Sequence, residues 1–185
     1  MELSPILIFT YNRLLQTQQT IEALQKNELA NESELYIFSD APKNSSEIEK
    51  VYGVREYLKT IRGFKSITII ERDRNFGLAN SIIEGVSVII KKYQKVIVVE
   101  DDLVTSTNFL LFMNQALGFY ETNKKVFSIA GYTFPLKSLN GSIQDYYIGY
   151  RASSWGWGTW EDRWVEIDWD VSTYSNFKLN LFKQY

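Results

Sequence analysis

The chain has 185 residues, 45% hydrophobic and 23% charged, enough for one sizeable core and too few for two comfortable domains. Its 20 basic and 22 acidic residues leave a net charge of −2, which offers no electrostatic footprint for nucleic acid. Cysteine and histidine are absent, which excludes disulfides, thiolate or zinc sites and histidine bases; chemistry must run on carboxylates, hydroxyls, Lys, Arg and backbone dipoles.

Apolar runs alternate with helical patterns. The opening MELSPILIFTYNR has a short apolar core without a cleavage-site pattern, so Pro5 to Phe9 reads as a first strand rather than a signal peptide. A helix follows over Leu14 to Gln25, with Leu14, Thr17, Ile21 and Leu24 in phase. Leu35 to Phe38 is a second strand opening into the turn-rich Ser39-Asp40-Ala41-Pro42. Ser45 to Ile61 reads as a helix, Ser66 to Glu71 as a third strand, and Leu78 to Tyr93 as a helix presenting Ile82, Val86, Ile89, Ile90 and Tyr93 inward. The run Lys95 to Val99 is a fourth strand, followed by a helix over Asn108 to Tyr120 and a fifth strand over Val126 to Ala130. This order predicts an α/β fold, a mostly parallel twisted sheet flanked by helices. Nothing approaches the ~20 apolar residues of a membrane span. A cytoplasmic protein is expected, with any membrane association peripheral, at the inner face.

The fourth strand empties into three acids, Glu100, Asp101 and Asp102. Clustered carboxylates repel, so they call for a cation, and oxygen-only ligands favour Mg²⁺ or Mn²⁺. A solvated acidic turn before the next helix is the plain alternative. The first glycine is Gly53, so neither a dinucleotide-binding glycine turn nor a P-loop follows the first strand. A diphosphate held through a metal would not need those glycines.

Several motifs taken in order carry a resemblance: Phe9-Thr10-Tyr11-Asn12-Arg13, Ser39-Asp40, VVEDDL at 98 to 103, and GYRASSWGWGTW at 149 to 160. The chain resembles GT-A glycosyltransferases, whose fold is a Rossmann-like nucleotide-diphospho-sugar transferase sheet. Among them it is most similar to the inverting N-acetylglucosaminyltransferases of N-glycan branching and related bacterial sugar transferases. The resemblance implies a metal-dependent transfer from a nucleotide-sugar donor, a UDP-sugar, to a glycan or glycolipid acceptor, as in polysaccharide biosynthesis. It divides one domain into a nucleotide-sugar-binding half, 1–104, and an acceptor-side half, 105–185.

Residue by residue, the resemblance places Thr10, Asn12, Arg13, Asp40, Arg74, Asn75, Glu100 and Asp101 at the nucleotide-sugar and Asp102 on the metal; the stretch holding Arg74 and Asn75 reads more simply as a charged loop turning at Gly77. Asp40 would accept from the uracil N–H, or else close an Asx turn. Arg13 would pair with the donor diphosphate, or else be a surface arginine at a helix start. If the strand persists that far, alternation would put Glu100 and Asp102 on one side and Asp101 on the other.

Trp155 and Trp157, set among Ser154, Gly156 and Gly158, are candidates for stacking on an acceptor sugar. Trp160 and Trp164, four apart, read as a helix face packed on the sheet. Inversion also needs a base, and the catalytic residue is unassigned. Asp168-Trp169-Asp170 offers an acid beside a tryptophan but closer to the glycine-tryptophan motif than the resemblance leads one to expect. Glu161 and Asp162 have a simpler role as acids at a helix start. The base is therefore sought beyond this chain too, and the second reading is a nucleotide-sugar-binding module that is catalytically incomplete.

Overall fold

The computed structural model of the chain describes residues 2–137, 141, 143 and 146–170; the last part of the acceptor-side half, 171–185, lies outside the described residues. Its elements run β1 (Ile6–Thr10), α1 (Leu14–Gln25), β2 (Glu34–Ser39), α2 (Ile48–Leu58), β3 (Ser66–Glu71), α3 (Leu78–Tyr93) and β4 (Lys95–Glu100). Then come α4 (Phe109–Phe119), β5 (Ile129–Ala130), β6 (Trp157–Trp160) and α5 (Glu161–Trp164). The strand order is β3-β2-β1-β4-β6-β5. The first four strands pair in parallel and β6 runs antiparallel between β4 and β5.

β1 is buried along its whole length and β4 from Val96 to Val99. Covered on both faces, they read as continuous apolar runs without alternation. One face carries Ile6, Ile8, Leu35, Ile37, Ile97 and Val99 against Ile21 and Leu24 of α1, Val54 and Leu58 of α2, and Leu110, Met113 and Leu117 of α4. The other carries Leu7, Phe9, Phe38, Val96 and Val98 against Val86, Ile89 and Ile90 of α3 and Trp164 of α5. In α1 the predicted face is right for Thr17, Ile21 and Leu24, while Leu14 is 37% exposed because it stands at the first turn.

Two glycines set how closely these layers approach. A Cβ on Gly85 would lie 2.7 Å from Phe9 Cε1 and 3.1 Å from Phe38 Cε2, so α3 rests directly on the stacked Phe9 and Phe38 rings. A Cβ on Gly158 would lie 2.8 Å from the Val96 carbonyl oxygen of the neighbouring strand.

The C-terminal part departs from the predicted elements. The fifth strand shortens from Val126–Ala130 to Ile129–Ala130 and pairs with β6, which the sequence reading misses because the four residues of WGTW are too few for a period-two alternation to stand out. Trp160 and Trp164 do not share a helix face. Trp160 ends β6 and packs under α4, its Nε1 donating to the Leu117 carbonyl at 3.1 Å. Trp164 lies on the opposite side of the sheet, its Nε1 donating to Ser87 Oγ at 2.9 Å. The chain switches faces within one turn, which a four-residue spacing cannot reveal.

Gly158→Ala should lower stability by about 1–3 kcal/mol, the usual cost of overpacking, because the Val96 carbonyl is backbone and cannot rotate away. Urea unfolding followed by circular dichroism measures this, and an unchanged midpoint would contradict the close packing.

Candidate functional site

The strand order turns back at β1: its neighbour on one side is β2, reached by the next connection, and on the other β4. Loops leaving the carboxyl ends of two such strands diverge and open a crevice, the usual ligand site of open α/β sheets. Register fixes what meets there. Phe9 pairs with Glu100, so Tyr11-Asn12-Arg13 leave the sheet alongside Asp101-Asp102.

Arg13, the N-cap residue of α1, bridges two acids of the triplet. Its Nη1 donates to Asp102 Oδ2 at 2.8 Å, its Nη2 to Asp101 Oδ1, and its Nε to Asp101 Oδ2 at 3.4 Å. The strand does not persist far enough for the acids to alternate across it. β4 ends at Glu100, and a turn brings Asp101 and Asp102 to the same guanidinium.

Burial differs sharply among the three acids. Asp101 is only 3% exposed, whereas the Asp102 side chain is 40% exposed. Desolvation raises the Asp101 pKa above the ordinary aspartate range even though Arg13 and the Tyr11 backbone N–H pull it down. Glu100 is also raised, by burial first and then by the charges of Asp102 and Asp101, against Arg13 and a hydrogen bond from Ser154. The Arg13 pKa is raised in turn, chiefly by its hydrogen bond to Asp101.

Asp40 holds the neighbouring loops together. Its Oδ1 accepts from the N–H of Ala41 at 3.0 Å and of Phe76 at 2.9 Å, and its Oδ2 from the N–H of Gly77 at 2.9 Å. The Asx turn weighed from the sequence does not form, because its donor would be the N–H two residues on and Pro42 has none; Asp40 instead bonds the adjacent Ala41 N–H and makes two longer-range bonds that spacing could not show. Asn75 Nδ2 donates to the Ala41 carbonyl at 2.7 Å, and Arg74 lies over the Phe76 ring. Arg74, Asn75 and Phe76, with Asn80, Ile83 and Glu84, line a pocket of about 550 Å³. Thr10 is buried, its Oγ1 donating to the Phe38 carbonyl at 3.4 Å, and Asn12 Nδ2 donates to Glu47 Oε2.

Arg55 was not anticipated. It sits between Val51 and Leu58 at the helical spacing of the buried face of α2, a visible sign that its guanidinium would be drawn inward. Its Nη2 donates to the carbonyls of Arg72 at 2.8 Å, Ser39 at 3.3 Å and Asp40 at 3.4 Å, and its Nη1 pairs with Glu71 Oε2 at 3.2 Å. The Arg72 guanidinium lies over the rings of Phe38, at 5.3 Å, and Phe76, at 4.4 Å, and pairs with Glu84.

The two acceptor candidates part company. Trp157, in β6, is half-buried with its ring stacked on Trp164 at 5.8 Å. Trp155, just ahead of the strand, is 45% exposed and touches Tyr132 and Phe134. Glu161 and Asp162 begin α5, after Trp160, which pairs with Lys95 at the amino end of β4. They are thus a strand length from the acid triplet, roughly 16–20 Å for six residues. Asp162 pairs there with Lys124 and Arg163. Trp169 packs on Trp164 at 4.5 Å, and Asp168 accepts from the Asp170 N–H at 3.1 Å.

No protein-family model matches the sequence, and no curated protein matches it. Solved structures do. The mannosyltransferase PcManGT from Pyrobaculum calidifontis, in complex with GDP-Man and Mn²⁺, matches with a TM-score of 0.50 at 11% identity, over 70% of this chain and 36% of its own. TarS of S. aureus matches at 0.45 and 16% identity, over 65% of this chain and 20% of its own. TarS 1-349 matches at 0.45 and 15%, over 65% and 33%. The likeness to the mannosyltransferase is one of fold. The chain spans about a third or less of the length of these three chains.

Arg13→Gln should leave Asp101 buried without its counter-charge. Its folded pKa would then rise further above the unfolded value, so the penalty is full at neutral pH and vanishes as pH falls through the unfolded value, near about 4. The expected loss is about 1–2 kcal/mol at pH 7, less than for a fully buried pair because Arg13 is half exposed. Denaturant unfolding at pH 7 and pH 4 tests the sign; an equal loss at both would contradict it. Asp40→Asn, keeping its oxygen at the Oδ1 position that accepts two N–H groups, places its NH₂ against the Gly77 N–H, so hydrogen exchange at Gly77 should quicken while the β1 amides keep their protection.

Proposed function

We propose that the chain is the nucleotide-sugar-binding core of a metal-dependent, inverting glycosyltransferase that moves a sugar from a UDP-sugar to a glycan or glycolipid acceptor. The observation that carries this reading is the convergence of Arg13 with Asp101 and Asp102 where the strand order turns back, between the carboxyl ends of β1 and β4. The fold shared with a mannosyltransferase determined with GDP-Man and Mn²⁺ supports it.

The residues present suit a particular kind of metal binding. Among the described residues no group of three or more acids is arranged to hold an ion, which argues against an all-protein cage. Mg²⁺ commonly sits on one or two carboxylates, with substrate phosphates and waters completing the shell. Asp102, exposed and held by Arg13, is suited to be that carboxylate; when bound, Mn²⁺ or Mg²⁺ would neutralise charge growing on the leaving diphosphate.

The chain's own groups then divide the remaining work. Arg13, released from Asp102, has a planar fork that can hold a phosphate while keeping its bond to Asp101. Asp101, buried and bound by Tyr11 N–H, anchors that arginine. Glu100, half-buried beside Ser154, is placed to accept from a sugar or ribose hydroxyl. Asp40 fixes the 73–77 loop, so Arg74 and Asn75 face the nucleotide from the wall of the adjoining pocket. Thr10 and Asn12 act by holding the loops that present these groups.

Calorimetric titration of UDP with Mn²⁺ should show binding that EDTA abolishes and Asp102→Asn weakens at least about tenfold, the loss of one charge-assisted contact. UDP that fails to bind in either condition would overturn this assignment. Binding indifferent to EDTA would overturn the metal dependence alone.

A further inference from the structure

Beyond the acid triplet, β5 and β6 end in a cluster of exposed aromatic rings. Gly131 N–H donates to the Gly156 carbonyl at 2.7 Å, closing the strand pair directly beneath Tyr132 and Trp155. Both glycines lie against the buried ring of Phe109. A Cβ on Gly131 would come within 2.4 Å of its Cε2 and one on Gly156 within 3.0 Å, so this base admits no side chain and holds the two aromatics in one place. Tyr132 and Trp155 then meet at 4.7 Å, Phe134 and Trp155 at 5.7 Å, and Tyr132 and Phe134 at 5.4 Å. Each remains between 38% and 45% exposed.

A polar rim surrounds the rings. Thr133 Oγ1 and Tyr147 Oη share a hydrogen bond of 2.7 Å, the Arg151 guanidinium lies 5.1 Å from the Phe134 centroid, and Ser153 Oγ accepts from the Trp155 N–H at 3.4 Å. Apolar faces ringed by hydroxyls and a guanidinium match a pyranose ring, which has a C–H face for stacking and hydroxyls at its edge. The position matches too. Trp157 pairs with Val98, two residues before Glu100, and Ser154, next to Trp155, is hydrogen-bonded to the Glu100 carboxylate.

We propose that Tyr132, Phe134 and Trp155 form a saccharide-stacking subsite that takes the C–H face of a pyranose beside the acid triplet. The proposal rests on the glycosyltransferase reading for its biological meaning but not for its physical test. The pyranose has two chemical sources, a free glycan or the sugar of a nucleotide-sugar. Methyl glycosides of glucose and of N-acetylglucosamine, and cellobiose, probe the first by saturation-transfer NMR without metal or UDP. UDP-N-acetylglucosamine titrated against UDP, both with Mn²⁺, probes the second.

Trp155→Ala and Phe134→Ala should weaken saccharide binding about two- to tenfold, the scale of one lost ring contact, while Trp155→Phe restores most of it. Phe119→Ala, an exposed ring on α4, should change nothing. Thermal midpoints close to wild type would show that the variants fold; should Trp155→Ala fail to fold, Phe134→Ala and a shift of the Trp155 indole N–H resonance carry the same test. Loss confined to the methyl glycosides and cellobiose assigns the subsite to a free glycan. Loss confined to the extra affinity of the UDP-sugar over UDP assigns it to the donor sugar. The proposal is overturned if neither probe responds to these variants, or if the rings prove to be a self-association surface that the variants disperse. Failure of UDP to bind would sink the donor site and leave the saccharide result standing.

Discussion

A carboxylate as buried as Asp101 is costly unless something answers its charge, and the answer comes from across the sheet. Arg13 leaves β1 at the start of α1, and its guanidinium reaches two acids that leave β4. Both elements are held there by the β1·β4 register, so the ion pair is a consequence of strand pairing and in turn fixes how the two loops leave the sheet. Burial still outweighs the pairing, because the Asp101 pKa remains raised. Such a group is poorly compensated in the resting fold and gains if further positive charge arrives. The acid triplet is therefore a place where local stability is given up and where a cationic partner would return it.

The same logic runs along the neighbouring strands. Backbone groups at the carboxyl ends of β2 and β3 cannot continue a sheet, and they are met by side chains. Asp40 takes three N–H groups, and Arg55 takes the carbonyls of Ser39, Asp40 and Arg72. One acid and one arginine thus bind the loops after β2 and β3 into a wall. The same bracing holds Asn75, whose Nδ2 donates to the Ala41 carbonyl, at the wall of the pocket that Arg74 also lines.

What could be read from the sequence follows from how local each feature is. β1, β2, β3 and β4 and the helices between them announce themselves by period and by apolar runs, and the structure places them within a few residues of expectation. Ser45 to Ile61 begins instead as a short 3₁₀ turn before α2 and ends sooner. β6 was hidden because it is four residues long and earns its place by packing between β4 and β5, a non-local fact. Trp160 and Trp164 share a helical spacing by coincidence, since the chain crosses the sheet between them. Within the site, the acid triplet was legible as a run of like charges after a strand. The partner of those charges was not, because Arg13 and Asp101 are 88 positions apart and only the strand order makes them neighbours.

The two aspartates that share Arg13 are not equivalent, and the difference bears on which can meet a metal. Asp101 has both oxygens engaged by Arg13, receives the Tyr11 N–H as well, and is almost wholly buried. Freeing it would strand the guanidinium and expose the turn. Asp102 is held by one bond from Nη1 and is open to solvent over two-fifths of its side chain. Exchanging that single contact for a hydrated divalent ion would keep a positive charge beside the cluster and would leave the Arg13–Asp101 pair intact. The arm of the fork so released would be free to donate to an anion, so one guanidinium could answer the two acids and still serve a bound phosphate.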